Sequence, residues 1–141
     1  MADRLPELLA PAGGPDALLA ALRCGADAVY VGAWDFSARQ SAENFDAAAL
    51  QEACRLCHLY GAKLYLAVNT LVFDHQFVLL DALTRQAAEA GVDAFVMQDL
   101  GAIARVRQIC PTMPIHASTQ MTIHTVQGAL EAARLGIRRV V

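Results

Sequence analysis

The sequence predicts an α/β fold of the (β/α)8 TIM-barrel type, cut to about five βα units plus the start of a sixth parallel strand. Three observations carry that prediction. Short apolar runs alternate strictly with segments of helical period, which is the pattern of parallel strands joined by right-handed helical crossovers. The runs are apolar at nearly every position rather than at every second one, as strands covered on both faces are. One unit also recurs by eye: GADAVYVG at 25–32, GVDAFVMQ at 91–98 and GIRRVV at 136–141. A doubly wound dinucleotide-binding sheet would carry G-x-G-x-x-G after its first strand; here the chain reads A-P-A-G-G-P at 10–15, and no Walker motif occurs.

The elements follow in order. Strands are predicted at 8–12, 28–32, 64–69, 94–98, 115–119 and 139–141, each rich in β-branched, aromatic or aliphatic residues. The first helix opens at Pro15 with Asp16 beside it and presents Leu18 and Leu22. Asp46 is placed to cap the second helix, and Asp74 the third, which turns Leu80, Leu83, Ala87 and Ala90 inward. Ile103, Val106 and Cys110 mark a shorter fourth helix ended by Pro111. Val126, Leu130, Ala133 and Ile137 mark the fifth, for which His124 can serve as cap or reach the rim. Gly25, Gly61, Gly91 and Gly136 sit where helices close before the next strand.

Each unit spans about 26 residues, whereas a full barrel needs eight units and ~250 residues. The expectation is therefore that 1–141 is the N-terminal part of a single barrel domain whose remainder lies outside this chain. A hydrophobic fraction of 56 % with a mean hydropathy of +0.36 fits the interior of something larger. That composition excludes a disordered chain. The 11 Lys and Arg against 14 Asp and Glu, a net charge of −3, give no basic footprint for nucleic acid. No apolar run approaches the ~20 residues of a membrane span, and the N-terminus lacks a signal-peptide pattern, so a cytoplasmic protein without membrane contact is expected.

Candidate chemistry belongs at the C-terminal ends of the strands. The segment after the second strand, 33–45, is long for a βα connection and holds Trp34, Phe36, Ser37, Arg39 and Asn44. Such a mix can clamp a planar or anionic group, or form a lid in which Arg39 pairs with Asp35 or Glu43. Asn69, Gln98, Ser118, Thr119 and Gln120 bring neutral amides and hydroxyls to other strand ends, able to bond a substrate or one another. His116 shares a strand face with Ser118 and Gln120 and reads more readily as a packing histidine than as a base. Asp99 is the lone strand-end acid, so paired glycosidase carboxylates are missing; the zincin and serine-hydrolase motifs are missing too. Cys54 and Cys57 with His58 spell C-x-x-C-H. They share one helical face with Leu50 and Gly61, however, which favours buried thiols over haem or zinc ligation.

Five motifs in fixed order then resemble peptidase family U32, the collagenase-like peptidases: ELLAPAG at 7–13, GADAVYVG at 25–32, FSAR with AENF at 36–39 and 42–45, YLAVNT at 65–70, and IHASTQ at 115–120. The resemblance runs from about Glu7 to Val141, and MTIHT at 121–125 looks like the longer members. It implies a (β/α)8-type catalytic domain. It also implies either a peptidase of unassigned mechanism or, as in its better-understood relatives, oxygen-independent hydroxylation. Those relatives act on a pyrimidine in tRNA or ribosomal RNA, with prephenate implicated as the source, or on ubiquinone precursors. They bind an iron–sulfur cluster through cysteines mostly beyond this chain, to which Cys54 and Cys57 do not correspond. No cofactor is expected in 1–141, with a cluster open for the full-length protein. Arg39, Asn44, Asn69, Ser118, Thr119 and Gln120 fall on family motif positions and are the site candidates, as substrate-orienting groups. RNA is the expected partner of the whole protein. The isolated piece is expected to self-associate, and an inert piece that only folds and associates is the third alternative.

Overall fold

The computed structural model describes residues 5–38 and 45–141. Its elements alternate: β1 (Leu9–Pro11), α1 (Pro15–Arg23), β2 (Ala28–Gly32), α2 (Ala47–Leu59), β3 (Lys63–Val68), α3 (Phe77–Ala90), β4 (Ala94–Met97), α4 (Leu100–Ile109), β5 (Ile115–Ala117), α5 (Val126–Arg134) and β6 (Arg139–Val140). The six strands form one parallel sheet in sequence order, β1-β2-β3-β4-β5-β6, as successive units of a barrel must. No helix among the described residues is long and apolar enough to cross a membrane.

Side-chain parity gives the sheet two unlike faces. Val29, Val31, Leu64, Leu66, Val68, Phe95, Met97 and Ile115 point at the helices, where they meet Leu18, Leu50, Cys57, Leu80, Ile103 and Val106 in the main core. The other face is the barrel interior. There Leu9, Tyr30 and Val96 pack on a small cluster of Ala28, Tyr65 and Ala94. Both faces are thus largely apolar, which is why the strand runs lack a simple alternation.

The caps differ in part from expectation. Asp46 accepts the Ala49 N–H at 2.8 Å and starts α2, as its position predicts. Asp74 does not cap α3: it lies in a 3-10 turn, Asp74–Gln76, that leads into the helix. Thr125, not His124, caps α5 by accepting from the Gly128 N–H, while His124 Nδ1 turns back to the Thr122 carbonyl at 2.8 Å. Gly91 ends α3 at φ 88°, a left-handed conformation that a side chain would strain.

Candidate functional site

The strand ends of β3, β4 and β5 and the chain following them define the upper mouth of the half-barrel. A cavity of about 410 Å³ opens there, lined by Leu9, Tyr30, Ala38, Ala67, Asn69, Val96, Ser118, Thr119, Gln120 and Val141. Four of the six predicted site residues, Asn69, Ser118, Thr119 and Gln120, therefore meet at one cavity. Arg39 and Asn44 lie outside the described residues. Tyr30 is the aromatic lining residue absent from the sequence candidates, which also left out the apolar Leu9, Ala38, Ala67, Val96 and Val141; the parity of Tyr30 with Ala28 on β2 was the available signal.

Each polar group is held by identifiable bonds. The Asn69 Oδ1 accepts the Ala38 N–H at 3.1 Å, which ties the loop after β2 to the end of β3. The Gln98 Nε2 donates to the Asn69 backbone carbonyl at 2.8 Å, so Gln98 braces the site from β4 without lining the cavity. Ser118 Oγ accepts the Gln120 N–H at 3.2 Å and shapes the turn Thr119–Met121. Ser118 itself hangs from β4 through its N–H to the Met97 carbonyl at 2.8 Å. Asp99, the strand-end acid, spends both oxygens on backbone: Oδ1 caps α4 at the Ala102 N–H, 2.8 Å away, and Oδ2 receives the Val72 N–H at 3.3 Å. It is structural.

The first part of the loop after β2 folds tightly onto the mouth. Phe36 and Ser37 are buried and Trp34 stands half exposed. Gly32 makes the approach feasible, since a Cβ there would sit 2.7 Å from Ser37 Oγ. A second, small cavity of about 50 Å³ lies beneath, between Gly13, Gly32, Ser37 and Asn69.

His116 belongs to a different place. It lines a cleft of about 290 Å³ at the N-terminal end of the barrel, with Lys63, Tyr65, Asp93, Pro114, Arg138 and Arg139. Its ring meets Tyr65 edge-on, centroids 4.8 Å apart at 82°. Burial and the nearby Arg139 guanidinium push its pKa down to about 4, so the ring is neutral at neutral pH. Arg139 reaches across the interior to Glu7, Nη1 to Oε1 at 2.5 Å, and Tyr65 donates its hydroxyl to the same carboxylate at 3.0 Å. Those bonds from Arg139 hold the Glu7 carboxyl below its ordinary range, while burial pushes the Tyr65 hydroxyl up to about 12. This brace was missed in sequence because its members lie 132 residues apart.

Cys54 and Cys57 are buried on α2, 1 % and 0 % exposed. Burial pushes their thiols up to about 12 and about 11, respectively. Metal and cluster ligation needs thiolates. Enclosed between helix and sheet and held as thiols, these two do not fit an iron–sulfur cluster.

With this geometry in place, comparison with known proteins decides the family. The model of peptidase family U32 matches residues 13–141. The chain belongs to peptidase family U32. Among curated members, a tRNA hydroxylation protein P of Helicobacter pylori is 36 % identical over 136 residues, 96 % of this chain and 32 % of its own length. A 23S rRNA 5-hydroxycytidine synthase of Escherichia coli is 35 % identical over 135 residues, 96 % of this chain and 20 % of its own. A collagenase of Porphyromonas gingivalis is 33 % identical over 122 residues, 86 % and 29 %. This U32 chain thus spans a third or less of each of these relatives. A solved U32 peptidase structure superposes with a TM-score of 0.74 at 12 % identity, over 99 % of this chain and 60 % of that one, which supports the barrel fold.

Proposed function

We propose that the protein carrying this chain takes part in hydroxylation of a pyrimidine in tRNA or ribosomal RNA, and that 1–141 supplies part of the substrate-binding mouth of its barrel. The observation that carries the reading is the mouth cavity itself: neutral hydrogen-bonding groups at Asn69, Ser118, Thr119 and Gln120 set against Tyr30 and the aliphatic Leu9, Ala67 and Val96. A flat, uncharged heterocycle with polar edges matches such a wall. The curated relatives named for tRNA and rRNA hydroxylation support it from the side of kinship. In this reading Asn69 and Ser118 bind and orient the base, Gln98 and the Ala38 N–H hold Asn69 still, and the loop around Phe36 and Ser37 limits water access from above.

The relative named collagenase keeps peptide hydrolysis as the second reading. Ser118 and Thr119 are its hydroxyl candidates at the end of β5, yet Ser118 Oγ is engaged with the Gln120 N–H and His116 packs on Tyr65 in the lower cleft. The deciding experiment compares nucleosides from wild-type and deletion cells by mass spectrometry. Loss of a 5-hydroxypyrimidine, restored by the wild-type gene but not by the Asn69→Ala variant, is expected. An unchanged nucleoside profile together with loss of gelatin cleavage would overturn the hydroxylation reading in favour of the peptidase one.

A further inference from the structure

The mouth cavity has a hydrogen-bonding polarity that its residue list alone does not reveal. Asn69 and Ser118 each carry both donors and acceptors. In each, the oxygen already accepts one backbone bond: Asn69 Oδ1 receives the Ala38 N–H and Ser118 Oγ receives the Gln120 N–H. The Asn69 main chain is fixed as well, through Gln98 Nε2 on its carbonyl. In these two side chains the groups with no hydrogen bond at all among the described residues are the Nδ2 amide of Asn69 and the hydroxyl proton of Ser118, two donors in the lining of one cavity that also holds the Thr119 hydroxyl and the Gln120 amide. An unpartnered donor costs more than an oxygen with one lone pair unfilled, so these two call for an acceptor on the ligand, and the neutral lining favours an uncharged carbonyl over an anion.

We propose that Asn69 and Ser118 are specificity residues that donate to the 2-oxo group of the target pyrimidine. The proposal rests on the hydroxylation reading above and adds which edge of the base is held. Cytosine and uracil share that oxygen, and it stands directly across the six-membered ring from carbon 5. Gripping it therefore leaves carbon 5, the position hydroxylated by the relative that makes 5-hydroxycytidine, pointing away from the donors and open to chemistry. Tyr30 and the aliphatic wall of Leu9, Ala67 and Val96 offer the apolar surface against which the ring rests.

The test uses the intact protein and a short stem-loop RNA carrying either cytidine or 2-thiocytidine at the target position, with binding followed by fluorescence anisotropy. Sulfur is the poorer acceptor, so the wild-type protein is expected to bind the thio RNA about tenfold more weakly. Asn69→Asp keeps an oxygen for the Ala38 N–H and turns the amide donor into an acceptor. It is expected to bind the cytidine RNA weakly and to lose the oxygen-over-sulfur preference. Ser118→Ala is expected to reduce that preference in part. Equal binding of both RNAs by the wild-type protein overturns the proposal while leaving the hydroxylation reading intact, and it needs no variant to fold. Failure to bind the stem-loop at all, with Asn69-dependent binding of a gelatin peptide instead, overturns both.

Discussion

His116 shows how strongly a single residue can register its surroundings. Lys63, Tyr65, Asp93, Arg138 and Arg139 share its cleft, and Glu7 faces it through Arg139 and Tyr65. With a folded pKa of about 4 against an ordinary value of 6.5, His116 between those pH values stays neutral in the folded chain and takes up its proton on unfolding. The unfolded state thus binds more protons between about pH 6.5 and pH 4, and stability falls as pH drops through that window, by up to about 3 kcal/mol. Glu7, whose carboxyl is held low by Arg139, adds its loss only below the ordinary carboxylate range. Urea midpoints measured from pH 7.5 to 4.5 should fall for the wild type and much less for His116→Asn; equal slopes would remove His116 as the cause. The two buried cysteines give a companion expectation. Native-state iodoacetamide should label exposed Cys24 and spare Cys54 and Cys57, which become reactive only in denaturant, as peptide mass spectrometry can show. At this scale the sequence was partly legible. Motif positions led to Asn69 and Ser118, but which of their atoms remain available depends on Ala38 and Gln120 backbone geometry, which no residue pattern encodes. The Glu7–Arg139 brace was illegible for a related reason: only strand parity and barrel curvature bring its ends together.

At the level of elements, the caps decide where helices start and how the mouth is tied to them. Asp99 ends the β4 strand run, caps α4 and pins the chain after β3 through the Val72 N–H. Asp99→Ala should therefore cost about 1–2 kcal/mol in urea or thermal unfolding, with Asp99→Asn recovering most of it. A loss under ~0.3 kcal/mol would mean that water replaces both bonds. Order and type of every strand and helix were legible, because apolar runs and helical period report burial on a sheet that is covered on both faces. Asp74 was misjudged for a local reason. It sits in the right sequence place for a cap, but the 3-10 turn of Asp74–Gln76 intervenes and Gln76 Oε1 takes the Phe73 N–H instead. Propensity marks a helix boundary to within a turn, and this boundary is flanked by Val72 and Phe77, both partly buried against the core.

On the scale of the molecule, a six-stranded parallel sheet in sequence order leaves β1 and β6 as its edges. The interior face adds apolar surface at Leu9, Tyr30, Val96 and Val141 around an open cavity. The Glu7–Arg139–Tyr65 brace ties the N-terminal ends of the two edge strands across the interior, Arg139 lying 5.5 Å over the Tyr65 ring, and so limits splaying at that end. It does nothing for the upper end, where Val140 and Val141 are 38 % and 51 % exposed. Unpaired edge backbone next to exposed β-branched residues is a template for pairing with another strand. A preparation of the 141-residue chain alone should therefore self-associate, its light-scattering mass rising with concentration. Val140→Lys should shift that rise to higher concentration by placing a charge on the β6 edge, with little effect on unfolding because Val140 is only partly covered. A constant monomer mass across the whole concentration range would show instead that the brace and the polar mouth suffice to keep both edges apart.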